Sequence, residues 1–200
     1  MFLSYMDDSS RYKNKEFNKT CTHKVLAVVM VHDRLTQDIE AMVGDCIEQT
    51  IPKDRLEQFE EFHACELYGG YGLFENIDQE ARHRAIKRLL KIVYDYKLPV
   101  IYGAVDLVEL GRRTYASADA TDIAFRSCFP GIEKVMDSVQ SEWPENALLI
   151  VDDGDKAVKD RLKKTYKQLR FHFRPPHWTQ GMWFLHDDMY FGSSKDSIGI

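Results

Sequence analysis

Short apolar runs alternate with longer stretches of helical period along this chain, and the two periods divide it into a series of elements. "FLSYMDD" at the amino terminus reads as a first strand, followed by a polar loop from Ser9 to Thr22. "HKVLAVVMVHD" is a second strand, apolar enough over Val25–Val31 to lie inside a sheet. From Asp33 to Thr50 the spacing predicts a helix that buries Leu35, Ile39, Met42, Val43 and Ile47, with Asp33 as its cap. "EEFHACELYGG" reads as a third, more polar strand closed by glycines. "IDQEARHRAIKRLLKIVYDYK" predicts a helix with Ile86, Leu89, Leu90 and Val93 as its buried stripe. "LPVIYGAVDL" is the next strand, and a helical stretch runs from about Asp119 to Trp143, where Pro130–Gly131 must kink or split it. "ALLIVDD" is the last expected strand. The final helix spans Lys156 to about Arg170, with Val158, Leu162, Tyr166 and Leu169 facing inward. The remainder is aromatic and irregular.

This order predicts an α/β protein with a mixed sheet covered by helices on both faces. Ligands of such sheets bind beyond the carboxyl ends of the strands. Two acidic clusters fall at that position: Asp7–Asp8 after the first strand, and "DDGD", Asp152 to Asp155, after "LLIV".

Composition narrows the class. The 200 residues suit one domain, residues 1–200, and the net charge of −5 excludes a polycation built throughout for nucleic acid. Cys21, Cys46, Cys65 and Cys128 have no CxxC spacing, and the nearest histidine pair, His172 and His177, is separated by two prolines. Zinc is therefore not expected, and the cysteines read as reduced, mostly buried thiols. Acids occupy the place of a signal peptide's basic region, and no apolar run is long enough for a bilayer, so the expectation is a soluble, cytoplasmic protein with no membrane partner.

The acids admit two readings. If the first strand neighbours the "LLIVDD" strand, Asp7 converges with Asp152, Asp153 and Asp155. Such carboxylates need a cation, and hard oxygen donors select Mg²⁺ or Mn²⁺. Equally, Asp-Asp-Gly-Asp is a good turn, and Asp152 or Asp153 can cap the helix from Lys156. Glu61, His63 and Glu66 form a third group. As strand residues, Glu61 and His63 would share a face, and His63 alone suits a hydrogen-bonded structural role. Asp106, after "VIYGAV", is a further candidate.

Charge is uneven. Between Lys156 and Arg174 eight basic residues face one acid, Asp160. With Val158, Leu162, Tyr166 and Leu169 turned inward, Lys156, Lys159, Lys163, Lys167, Arg170 and Arg174 form a solvated face or a surface for a nucleic-acid backbone. Arg11, Lys13, Lys15 and Lys19 add a second basic stretch beside the Asp7–Asp8 pair.

"YMDDSS", "EEFHACELYGG", "LLIVDDGD" and "FGSSKDSIGI", in this order over Tyr5 to Ile200, resemble the family catalogued as domain of unknown function 3800. The resemblance implies a ribonuclease H-like α/β fold and a divalent-metal-dependent nuclease using Mg²⁺ or Mn²⁺ on nucleic acid. By motif position it implies Asp7, Glu66, Asp152 and Asp155 as metal ligands, His63 as a water- or phosphate-contacting group, and Ser194–Lys195 as the late element. Asp7, Glu66, Asp152 and His63 would then be catalytic. Two departures stand out: Ser10 replaces the usual glycine, and the chain is expected to be cut short before the C-terminal helix that commonly supplies a last carboxylate. Two other expectations differ in class. One is a non-catalytic nucleic-acid- or protein-binding module of the same fold; the other is a small-molecule hydrolase with His63 as general base.

Overall fold

The computed structural model describes residues 1–8, 22–112, 119–139, 145–152, 156–172, 185 and 189–192. They divide into two compact units, one formed by Met1–Met30 with Pro99–Phe191 and a second built on Val31–Leu98.

The first unit carries the sheet. Strands β1 (Phe2–Asp8), β2 (His23–His32), β3 (Val100–Asp106), β4 (Ala147–Asp152) and β5 (Tyr190–Gly192) lie in the order β3-β2-β1-β4-β5. β2 and β3 pair antiparallel from His23↔Asp106 to Val29↔Val100, whereas β1 and β4 pair parallel from Phe2↔Ala147 to Met6↔Val151. The strands expected from the four apolar runs are present, and β2 is interior as its continuous apolar character requires. The short edge strand β5 lies in the segment read as irregular.

One face of the sheet is packed. Met6, Leu26, Val28, Met30, Val105, Leu149 and Val151 meet α5 (Ala120–Val139) through Phe125, Cys128, Phe129, Ile132 and Met136. Leu162 and Tyr166 of α6 (Lys156–His172) complete this core, with Val158 and Leu169 half-buried beside it, as their spacing predicts. Asp119 caps α5: its carboxylate accepts the Thr121 and Asp122 N–H groups at 2.8 and 3.3 Å. Helix α5 runs through Pro130 and is not split there.

Glycine sets the approach of α5 to β3. A Cβ on Gly103 would lie 2.1 Å from the Ala124 carbonyl oxygen, and one on Gly131 2.6 Å from Cγ2 of Ile101. α6 is tied to α5 by polar groups: the Thr165 hydroxyl donates to Asp122, and Asp122 also pairs with Arg126 at 2.9 Å. Arg126 in turn reaches Gln168 at 3.2 Å, and Arg161 pairs with Asp119.

The second unit packs α1 (Thr36–Thr50), α2 (Ala64–Gly69) and α3 (Gln79–Asp95) around Cys46, Ile51, Leu67, Phe74 and Ala85. Asp33 does not cap α1; it belongs to a 3-10 turn and pairs with His32 at 2.9 Å, and Met42 is exposed. The expected strand at "EEFHACELYGG" is instead irregular to His63 and then helical. Gly70, at φ 74°, takes the left-handed conformation that ends a helix, and its N–H donates to the Glu66 carbonyl at 2.7 Å. Arg82 donates to the last carbonyls, Leu67 at 2.9 Å and Tyr68 at 2.6 Å. α3 is capped by Asp78, which accepts from Glu80 and Ala81 at 2.9 and 3.1 Å. Its buried side is Ala85 and Ile92, flanked by Ile86 and Leu89; Leu90, expected inside, is 63% exposed.

Cys46 and Cys128 are buried and Cys65 is exposed. Burial raises the Cys46 thiol pKa and pushes that of Cys128 up to about 11.

Two substitutions on the packed face should act in opposite directions in thermal melts. Ser4 is fully buried and its hydroxyl has no hydrogen-bond partner among the described residues. Ser4→Ala should stabilise by about 1 kcal/mol, seen as a rise in Tm. Gly103→Ala forces a methyl against the α5 backbone and should cost about 1–3 kcal/mol or more.

Candidate active site

The central parallel pair positions the site. Its register ends at Met6↔Val151, both buried. The next residues are Asp7 and Asp152, so side-chain alternation turns both carboxylates to the sheet face opposite the α5–α6 core, where both are exposed. Neighbouring strands run about 4.8 Å apart, which sets the two strand-end aspartates side by side.

The second acid of the amino-terminal pair is turned the other way. Asp8 pairs with Lys24 of β2 at 2.5 Å, and the Lys24 side chain is only 14% exposed. The Asp8 N–H donates to Oδ1 of Asp7 at 2.6 Å. Asp8 is thus held by an ammonium group, while its own backbone orients Asp7. The sequence reading does not single out Lys24; the signal available is a lone lysine opening an otherwise apolar strand.

Asp106 closes β3 and is committed elsewhere. Its Oδ1 accepts the Val108 and Glu109 N–H groups at 2.8 and 3.1 Å, capping α4 (Leu107–Arg112), and His23 lies 3.9 Å from its other oxygen. The Glu109 amide bond, with the Val108 amide and the His23 and Arg112 charges, holds its carboxyl below the usual value despite some desolvation.

Glu61, His63 and Glu66 belong to the second unit. His63 Nε2 pairs with Glu61 at 3.0 Å, so the imidazole has a structural partner on an irregular segment, not on the shared strand face expected. Glu66 sits in the first turn of α2, with Gly72 packed closely beside it: a Cβ at Gly72 would lie 2.6 Å from Oε2. Asp153, Asp155, Arg174, Ser194 and Lys195 lie outside the described residues. Among the described residues no group of three or more His, Cys, Asp or Glu side chains is gathered closely enough to hold a metal ion.

On α6, Lys156, Lys163 and Lys167 are exposed. Lys159 and Lys163 stand over the Phe191 ring at 6.0 and 5.2 Å. Arg170 falls in the last turns of the helix. No helix among the described residues is long and apolar enough to cross a membrane.

No family model matches the chain, and no curated protein does either. Among solved structures it is similar to Bst-RNase HIII in complex with Mn²⁺, at 12% identity and a TM-score of 0.48, over 100% of this chain and 47% of that one. It is also similar to a glutamine-to-alanine mutant of Bst-RNase HIII, at 14% identity and a TM-score of 0.45, over 94% of this chain and 44% of that one. The chain thus spans about half the length of these structures. With β1 central, β2–β3 antiparallel on one side and β4 parallel on the other, the five-stranded mixed sheet and its helices form an α/β fold.

The Asp106 cap makes a pH-dependent contribution of defined sign. Because its folded pKa is depressed, the cap's stabilisation is present above the usual carboxylate range and is lost as pH falls through the lowered value. In Asp106→Asn, which keeps a capping oxygen but cannot titrate, the acid-side fall in Tm should be shallower than in the wild type.

Proposed function

We propose that this chain is a cytoplasmic, divalent-metal-dependent nuclease that hydrolyses phosphodiester bonds, and that it groups with domain of unknown function 3800 on its four motifs. The observation that carries the reading is the adjacency of Asp7 and Asp152 at the carboxyl ends of the central parallel pair. Both donors are carboxylate oxygens, which fits Mg²⁺ or Mn²⁺ and disfavours the softer ions that seek thiolate or imidazole. In this reading Asp7 and Asp152 hold the metal, with Asp155 as a further ligand from the segment after β4. The roles of Glu66 as ligand and His63 as a water- or phosphate-contacting group remain those the motif resemblance implies, and the reading does not depend on them.

A bound cation would supply Lewis-acid stabilisation of the phosphoryl oxygens and a more acidic water. The protein's own contribution is placement. The Asp8 amide fixes one oxygen of Asp7, and the Asp8–Lys24 pair keeps the neighbouring acid on the other face. Lys156, Lys159, Lys163 and Lys167, with Arg170 and Arg174, follow the "DDGD" segment and provide positive charge for a nucleic-acid backbone.

Titration with Mn²⁺ or Mg²⁺ should raise Tm, by about 2.7 kcal/mol of stabilisation at roughly 100 times the Kd, and should release labelled fragments from nucleic acid. Asp7→Asn and Asp152→Asn should abolish both effects. A wild type indifferent to either ion in melting and in cleavage would sink the reading, and turnover that survives chelation would favour a metal-free hydrolase.

A further inference from the structure

We propose that the outward face of α3, in the second unit, is a docking surface for single-stranded nucleic acid. It lies on a different element from the α6 lysines, and the proposal does not depend on the metal reading. α3 buries Ala85 and Ile92, with Ile86 and Leu89 beside them. On its other side His83, Lys87, Leu90 and Tyr94 recur at i, i+4, i+7 and i+11, which places them along one stripe about 16 Å long. Tyr94 is 80% exposed and Leu90 63%. At the stripe's amino-terminal end Tyr68 of α2, itself 68% exposed, stacks on His83 with ring centroids 5.9 Å apart and planes at 28°.

Cations flank these rings. Arg84 and Lys91 make only exposed ion pairs one helical turn away, with Glu80 and Asp95, and such pairs contribute little in water. Lys87 and Arg88 are exposed and make no ion pair among the described residues. In a chain of net charge −5, this helix carries a local excess of positive charge together with uncovered aromatic faces. Phosphates satisfy the cations, and unpaired bases satisfy the rings, because base–aromatic stacking needs a base free of its duplex. Through Leu169, α6 offers lysines but no exposed ring, a surface suited to phosphates alone. The two helices therefore present different chemistry to the same class of polymer.

The test uses the whole chain with a fluorescent single-stranded oligonucleotide of mixed sequence, as DNA and as RNA, and the matching duplex. Anisotropy is followed across a salt series in EDTA, so that neither cleavage nor a metal site affects the result. The expected outcome is a preference for the single strand. Tyr94→Ala and Tyr68→Ala should each weaken binding about fivefold or more, with the salt dependence unchanged. Tyr94→Phe should bind as the wild type, and Lys87→Ala should reduce the salt slope by about 0.7. Binding that persists in EDTA, where no divalent cation is held, separates this surface from the proposed metal centre. The inference is overturned if no single strand binds at low salt, or if both tyrosine variants bind as the wild type does. It is also overturned if Leu90→Ala and Tyr94→Ala instead dissolve a dimer seen by sedimentation, since the face would then serve a second copy of the chain.

Discussion

The parallel pairing of β1 with β4 is the constraint on which the rest of the molecule depends. The two strands lie far apart in sequence, yet Phe2–Met6 must meet Ala147–Val151 in a single register. A slip of one residue would turn Asp152 toward the core of Phe125, Phe129 and Tyr166 and bring Leu149 and Val151 out in its place. An ionised carboxylate in that core would carry a heavy desolvation penalty, so hydrophobic alternation along β4 selects the observed register. The core able to enforce it exists only because α5 can lie close to β3, through Gly103 and Gly131. Backbone contact on one edge of the sheet thus supports side-chain placement at its centre.

The elements most legible in the sequence are those whose burial is repetitive. β2, β4 and α6 bury residues at every second or every third and fourth position, and a local period suffices to find them. The segment from Phe59 to Gly70 defeats that reading because its alternation is short. Its state is decided by groups that local period ignores: the left-handed Gly70 and the Arg82 guanidinium, which arrives from α3. α3 is legible as a helix, but its buried side is displaced from the expected one. Leu90 outweighs Ala85 on any hydrophobicity scale, while the unit's small core accepts the alanine. β5 has three residues, and such a strand is held by its neighbour more than by its own pattern. Of the candidate site, the sequence carries the acids but not their neighbours. The adjacency of Asp7 and Asp152 depends on strand order, and the Asp8–Lys24 pair on which strands flank β1.

The aspartates sort by what their oxygens do. Asp78, Asp106 and Asp119 accept backbone amides at helix starts, where the orphan N–H groups and the helix dipole favour a negative charge. Asp8 and Asp122 are matched to Lys24 and to Arg126 with Thr165. Most of these acids are architectural, and a tally of carboxylates would overstate the chemistry. What distinguishes Asp7 and Asp152 is their shared place at the end of the central strand pair.

The same packing that builds the core also determines the molecule's sulfur chemistry. With its pKa pushed up to about 11, Cys128 is thiolate in only roughly one molecule in 10⁴ at neutral pH, and its sulfur is shut away from solvent. Cys46 is shielded in the same way within the second unit. Cys65, exposed in the first turn of α2, is the described thiol that alkylating and oxidising reagents can reach in the folded state. Labelling of Cys46 and Cys128 therefore reports the opening of each unit separately, with Cys65 as the internal reference for reagent reactivity.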